Sequence, residues 1–377
     1  MLSPASMTLL ETLAFEAIQH VFKERSKFAI ETPTPFECKA WRSNGFSDSA
    51  IYQLTCEFGS YSIRSWPNRF DTSSKIGFWS HVNDLFFQLG DHGLRSGGAV
   101  SAKPFPTLYQ WHPPGRSATP LLAFDNQLWT LCDWVSGQPI KRDIVDKALV
   151  IHLATILGKL HFHSGKAFDG IGSMQSNSIR ERFEALKRVD YSLFQLIEQS
   201  PFFSVNNLAD RVKHCLAIVM ERATDWQRFL SISANQMRNC HWIVRDLWRE
   251  NILVDETHHF SSIVDLGASR MDWPGLDFSR FFGSLSYGPC PNPLLNHDGA
   301  RDVWQDAYQA YTSANPTHDI GFLEECRMLS LVSNGLSIAQ WVQWIHAGTM
   351  DLSVPEKARR VSERVAELCD SLLIAAS

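Results

Sequence analysis

No two of the eight cysteines stand as a C-x-x-C pair, and they are scattered from Cys38 to Cys369. That spread excludes a zinc knuckle and a disulfide-stapled mini-domain, and it fits thiols kept reduced in the cytoplasm. His161, His163, His258 and His259 have no Cys or His partner at metal-ligand spacing. No basic stretch followed by an apolar one opens the chain. Residues 7–25 alternate apolar and polar groups at helical spacing and carry Glu11 and Glu16, which predicts an amphipathic helix and not a signal peptide. No apolar run reaches the ~18 residues that a membrane span needs. Charge of one sign is not in excess: the formal net charge is -5, which gives no reason to expect nucleic acid or an anionic membrane as partner. Internal repeats and low-complexity segments are absent.

What is present is an ordinary globular composition over 377 residues, 44% hydrophobic and 20% charged. That length has room for two lobes, each with its own core. Thirteen tryptophans serve either core packing or the lining of a pocket for an organic ligand. Residues 36–67 read as β structure, with strand-like runs at 50–56 and 61–67 joined through Glu57-Phe58-Gly59-Ser60, a hairpin signal. Residues 73–90 repeat apolar groups at helical spacing through Ile76, Trp79, Val82, Phe86 and Leu89. A short strand is expected around Leu108–Trp111 and another at 128–135, ended by Ser136-Gly137-Gln138-Pro139. Helices are expected at 148–163, 178–198 and 207–232, and again from about 300 onward. The order predicts an α+β, bilobal architecture with a small β-rich N-lobe at 1–136 and a larger helical C-lobe at 137–377.

The most informative stretch is Val244-Arg245-Asp246-Leu247-Trp248-Arg249-Glu250-Asn251, followed by Ile252–Asp255, a turn through Thr257-His258-His259, and residues 260–265 ending in Asp265-Leu266-Gly267. Arg, Asp, Leu and Asn stand at the offsets of the kinase catalytic loop H-R-D-L-x-x-x-N, with Val244 in place of His, and Asp265-Leu266-Gly267 stands where kinases carry D-F-G. Each fragment alone is common. The ordered set of loop, strand, turn, strand and D-x-G turn is not. In the N-lobe, Gly45 and Ser47 lie in a polar turn before the strand pair, which is also what an ordinary hairpin would carry. Arg64 takes the basic position on the strand, where a guanidinium can bind phosphate bidentately.

The set resembles the aminoglycoside phosphotransferase and choline kinase family, which has the protein-kinase-like fold. It is most similar to a planctomycete-type branch in which an IRSWP-like strand end (Ile63–Pro67), a W-x-L-x-x-W-x-x-G hinge (Trp129–Gly137), an RD-x-W loop (Arg245–Trp248) and a D-x-x-R-x-x-G-S segment (Asp277–Ser284) occur together. The resemblance covers roughly residues 40–370 and is more specific in the catalytic half. It implies that Asp246 orients or deprotonates an acceptor hydroxyl and that Asn251 and Asp265 bind magnesium. It implies that residues 131–135, with Cys132, Asp133 and Trp134, form the hinge that meets the adenine of ATP. Asp277 would brace the catalytic loop, or be only a residue at a helix start.

Three departures stand against that pattern. Val244 removes the loop histidine. No Glu occurs between Glu57 and Glu181 to hold the strand base, so Asp84 is the expected substitute partner of Arg64, unless it is only a solvated helix aspartate. Only twelve positions separate Asp265 from Asp277 and no A-P-E follows, which leaves no room for a protein kinase's activation loop and favours a small-molecule acceptor. The expectation is therefore a cytoplasmic enzyme that uses ATP and Mg2+ to phosphorylate a hydroxyl of a small molecule. The alternative is a pseudokinase acting as a nucleotide-binding or scaffold protein. From residue 139 onward, 24 Lys and Arg face 28 Asp and Glu, which is no strong case for a polycationic acceptor; a choline-like ammonium held over Trp rings is equally open.

Overall fold

The computed structural model describes residues 4–25, 37–41, 50–56, 59–66, 72–88, 104–112, 115, 117–141, 145–167, 173–286, 297–316, 322–350 and 352–376. It divides into two compact units, Met1–Gln138 with Ile252–Ala268, and Pro139–Asn251 with Ser269–Ser377. Among the described residues, no helix is long and apolar enough to cross a membrane. Gly45 and Ser47 lie outside the described residues.

The first unit opens with helix α1 (Pro4–Arg25) and strands β1 (Glu37–Trp41), β2 (Ile51–Cys56) and β3 (Gly59–Trp66), then α2 (Thr72–Gln88), β4 (Leu122–Phe124) and β5 (Gln127–Asp133). The five strands form one antiparallel sheet in the order β1-β2-β3-β5-β4. Cys56 pairs with Gly59 across the β2–β3 turn, so only Glu57 and Phe58 lie between them. Residues around Leu108–Trp111, expected as a strand, make only isolated bridges, to Cys132 and Thr119.

Strand periodicity decides what each face carries. Tyr61, Ile63 and Ser65 of β3 are buried, and Tyr61 and Ile63 join Tyr52, Leu54, Trp129 and Leu131 in a core closed by Leu10, Ala14, Ala17 and Ile18 of α1. Ser62 and Arg64 point to the other face. The strand segment at 128–135 ends earlier than expected, at Asp133, and a short strand β6 (Gln138–Pro139) follows. Gly137 has φ 148, and a Cβ there would stand 2.9 Å from the Val254 carbonyl oxygen, so this position needs glycine.

The second unit is helical: α3 (Lys147–Ala167), α4 (Asn177–Leu186), α5 (Ser192–Gln199), α6 (Pro201–Val205) and α7 (Ala209–Asn235) precede the segment 237–272, and α8 (Gly275–Ser286), α9 (His297–Ala314), α10 (Phe322–His346) and α11 (Pro355–Ala376) follow it. Two small two-stranded ladders interrupt the helices, β7 (Ser173–Gln175) with β8 (Met237–Asn239), and β9 (His241–Ile243) with β12 (Arg270–Asp272). Between β9 and β12 the chain forms a hairpin of β10 (Ile252–Val254) and β11 (Phe260–Ile263), which belongs to the first unit.

That assignment differs from the sequence expectation, which kept everything after 137 in the helical lobe. The reason is bonding: Ile263 N donates to the Pro104 carbonyl at 2.7 Å and the Ser261 hydroxyl to the Ser136 carbonyl at 2.9 Å. Tryptophan is mainly core material, with Trp66, Trp111, Trp129, Trp273 and Trp304 all nearly inaccessible. Trp304 packs against Phe278 and Phe282, and Phe278 in turn against Tyr311 and Phe322, in the aromatic interior of the second unit.

Candidate active site

In the second unit the catalytic loop is built around one buried carboxylate. Asp277, in the first turn of α8 and inaccessible to solvent, accepts hydrogen bonds from the backbone N–H of Val244 at 2.8 Å and of Arg245 at 2.5 Å. Its third partner is His161 Nε2, at 3.2 Å, from α3. His161 Nδ1 meets the Tyr311 hydroxyl at 2.9 Å, and Asn315 Nδ2 donates to that same hydroxyl at 3.0 Å. With Asn315 donating, the phenol proton points at Nδ1 and leaves the Nε2–H for Asp277. A buried carboxylate with three such donors is fully satisfied, which is the condition for keeping it in an interior. His241 lies beside this chain, 5.3 Å ring to ring from His161. Burial, and then the neighbouring His161, press the His241 pKa down to about 3, so its imidazole is neutral.

The brace sets the loop geometry. Arg245 sits at φ 69, a left-handed conformation that costs a non-glycine residue energy and persists only where its surroundings impose it. Beyond it, Asp246 N donates to Val244 O at 2.9 Å, Trp248 N to Asp246 O at 3.1 Å and Asn251 N to Trp248 O at 2.9 Å. Asn251 Nδ2 donates to the Asp246 carbonyl at 2.8 Å, which leaves the amide oxygen of Asn251 able to ligate. Arg249 anchors the far end, its Nη2 donating to both carboxylate oxygens of Glu367 of α11 at 2.7 and 2.8 Å and its backbone N–H to the Ser284 hydroxyl. The Asp246 side chain stays 44% exposed, and its Oδ1 is 3.3 Å from Arg280 Nη2.

In the first unit, Arg64 on β3 donates to Asp265 Oδ1 at 2.6 Å. Asp265, after β11, has φ 61, the second strained non-glycine position at a motif carboxylate. Lys75, buried on α2, donates its ammonium to the carbonyl of Gly267. Among the described residues, Arg64 Nε is buried without a hydrogen-bond partner, a donor suited to a phosphate oxygen.

Asp84 is solvent-exposed on α2. The expected Asp84–Arg64 pair is not formed, because Arg64 is held by Asp265. The hinge expectation needs a second correction. Asp133 N and Trp134 N already donate to Thr107 O and Ser60 O, each at 3.0 Å, so an adenine cannot take these two N–H groups without opening the sheet. The Asp133 carboxylate accepts from the Tyr109 hydroxyl at 2.5 Å. The Cys132 thiol is pushed up to about 12 by burial and by Asp133, which makes it a neutral wall on the same face as Arg64.

Sequence reasoning missed His161, Lys75 and Arg280. Two of these had a signal. Lys75 precedes Trp79 by one helical turn, on the apolar stripe of α2, and Arg280 follows Asp277 by one turn on α8. His161 had none, because its partners lie 116 and 150 residues away.

Residues 114–314, more than half of the chain, match the model of the phosphotransferase enzyme family. No curated protein matches the chain in sequence. Solved structures do resemble it. One is an amicoumacin kinase in complex with AMP-PNP, Ca2+ and Ami, at TM-score 0.55 and 12% identity over 93% of each chain. A spectinomycin phosphotransferase in complex with ADP and spectinomycin gives TM-score 0.54 and 12% identity over 90% of this chain and 92% of the other. An aminoglycoside phosphotransferase from Alicyclobacillus acidocaldarius gives 0.52 and 12% over 92% of both. At such identities the likeness concerns the fold, which is protein-kinase-like. With the family match beside the braced loop, the conclusion is direct: the chain belongs to the phosphotransferase enzyme family.

Proposed function

We propose that the protein transfers the γ-phosphoryl group of ATP, with magnesium, to a hydroxyl of a small molecule. The observation that carries this reading is the double hydrogen bond from the Val244 and Arg245 N–H groups to Asp277, which holds Asp246 and Asn251 in one rigid loop. The scaffold reading rested on Val244 and on the missing helix Glu. The loop is braced without the histidine, and Arg64 has a carboxylate partner in Asp265.

The residues fit the groups that the reaction needs. The Asp265 carboxylate and the amide oxygen of Asn251 are hard oxygen donors of the kind Mg2+ takes alongside phosphates. The Nε–H of Arg64, which has no partner among the described residues, suits a phosphate oxygen. When bound, the metal neutralises charge on the nucleotide's phosphates. In the transfer, the acceptor's hydroxyl oxygen forms a bond to the γ-phosphorus as the bond to the β–γ bridging oxygen breaks. ADP departs with that electron pair, and Asp246 orients the hydroxyl and takes its proton. Positioning supplies most of the acceleration.

A melting experiment tests the reading. ATP with magnesium is expected to raise the melting temperature, because a ligand of the native state stabilises it. No change with ATP, with or without magnesium, would overturn it.

A further inference from the structure

Beside Asp246 the second unit places an arginine whose single carboxylate partner leaves most of its donors unused. Arg280, one turn beyond Asp277 on α8, makes one hydrogen bond among the described residues, the 3.3 Å contact to Asp246. That contact occupies one of the five donors of its guanidinium. Arg182 on α4 bonds only to neutral groups, the Ser333 hydroxyl at 2.9 Å and the Ser178 carbonyl at 3.1 Å. No carboxylate of the described residues stands within ion-pair distance of it.

The two cations repel one another. Burial first, then Arg364 and Arg182 lower the pKa of Arg280, while Asp246 raises it. Arg280 is thus paired once, with Asp246, and its side chain is 17% exposed, so its remaining N–H donors can meet an oxyanion. The ring of Trp248 closes off the opposite chemistry. Arg280 and Arg364 lie 3.1 and 3.7 Å from its centroid. Two guanidiniums that near cannot share one face, so no face of Trp248 is left for an ammonium. Arg364 is itself paired with Glu250 and Glu367.

We infer that the phosphoryl acceptor is a small hydroxylated anion, its carboxylate or phosphate group held by Arg280 while Asp246 engages its hydroxyl. This rests on the phosphotransferase reading. The planar fork of arginine matches either oxyanion.

The test measures ADP formation by the full chain with Mg-ATP and equal concentrations of glycerate, glycerol 3-phosphate, glycerol or choline. Calorimetric Mg-ATP binding runs in parallel, so failure of the phosphotransferase reading shows as lost nucleotide binding. One of the two anions is expected to accelerate ADP formation over glycerol by ~10-fold or more, the effect of a charge-assisted hydrogen bond. Glycerate and glycerol 3-phosphate distinguish a carboxylate from a phosphate. Arg280→Met is expected to erase the preference and Arg280→Lys to keep part of it. Acceleration by choline or glycerol at least equal to that by the anions would overturn the inference, as would bound Mg-ATP with no response to either anion.

Discussion

At the scale of single residues, the interior of the second unit ties chemistry to proton binding. His241 is neutral in the fold, with its pKa near 3 against an ordinary 6.5. The unfolded chain therefore binds a proton between those values that the native state refuses. Stability from this residue is complete above pH 6.5 and declines as the pH falls toward 3, by at most about 1.4 kcal/mol per pH unit. Groups facing it across the packing are His161 and, through it, Asp277. His241→Phe keeps a ring against His161 and removes the titration, so its stability measured by urea unfolding is expected to fall less steeply with acid. An acid limb identical to that of the unmodified protein would contradict the assignment. Asp277 gives the second residue-scale expectation. Asp277→Asn turns one acceptor atom into a donor facing backbone N–H groups, which costs about 1–3 kcal/mol of unfolding free energy. It also slows turnover by more than the folded fraction accounts for, because the loop loses its imposed shape. Turnover that tracks the folded fraction alone would reduce Asp277 to a packing residue.

At the scale of elements, α2 holds the turn after β11. Lys75 carries a charge into the apolar face of the helix and delivers it to the Gly267 carbonyl, one peptide beyond Leu266 and next to the strained Asp265. Lys75→Met retains the apolar stem and removes the donors. It is expected to weaken magnesium-dependent ATP binding, measured by calorimetry, by roughly 10-fold, the value of a charged hydrogen bond. Unchanged affinity would mean that α2 does not position this turn. The elements also mark how far sequence could reach. Long periodic segments such as 148–163 and 207–232 were readable, because an apolar stripe at helical spacing is a local property. So was the β2–β3 hairpin, whose Gly59 carries φ 133. The expected single helix over 178–198 is instead α4 and α5, broken around Val189. The ladders β7–β8 and β9–β12 have only three residues per strand, too few for an alternation to register.

At the scale of the whole chain, the order of motifs nominated the candidate site, while the supporting contacts came from far along the sequence. Asp246, Asn251 and Asp265 could be nominated from sequence because the loop, the hairpin and the D-x-G turn are contiguous. The partner of Arg64 was not, since 201 residues separate it from Asp265, and the best local guess, Asp84, faces solvent. Arg280 comes from α8, 34 residues beyond Asp246, and only folding shows that the two meet.

The measurement that bears most directly on the account compares Asp246→Asn with Asp265→Ala for calorimetric Mg-ATP binding and for ATP turnover. Asp265→Ala removes an oxygen donor for the metal and the partner of Arg64, so magnesium-dependent affinity and turnover are expected to fall together. Asp246→Asn keeps size and some hydrogen bonding but cannot take the proton. It is expected to bind Mg-ATP nearly as before while turnover falls by about 100-fold or more, within the range of a positioned acid–base group. Equal loss of nucleotide affinity in both variants would contradict the division of roles.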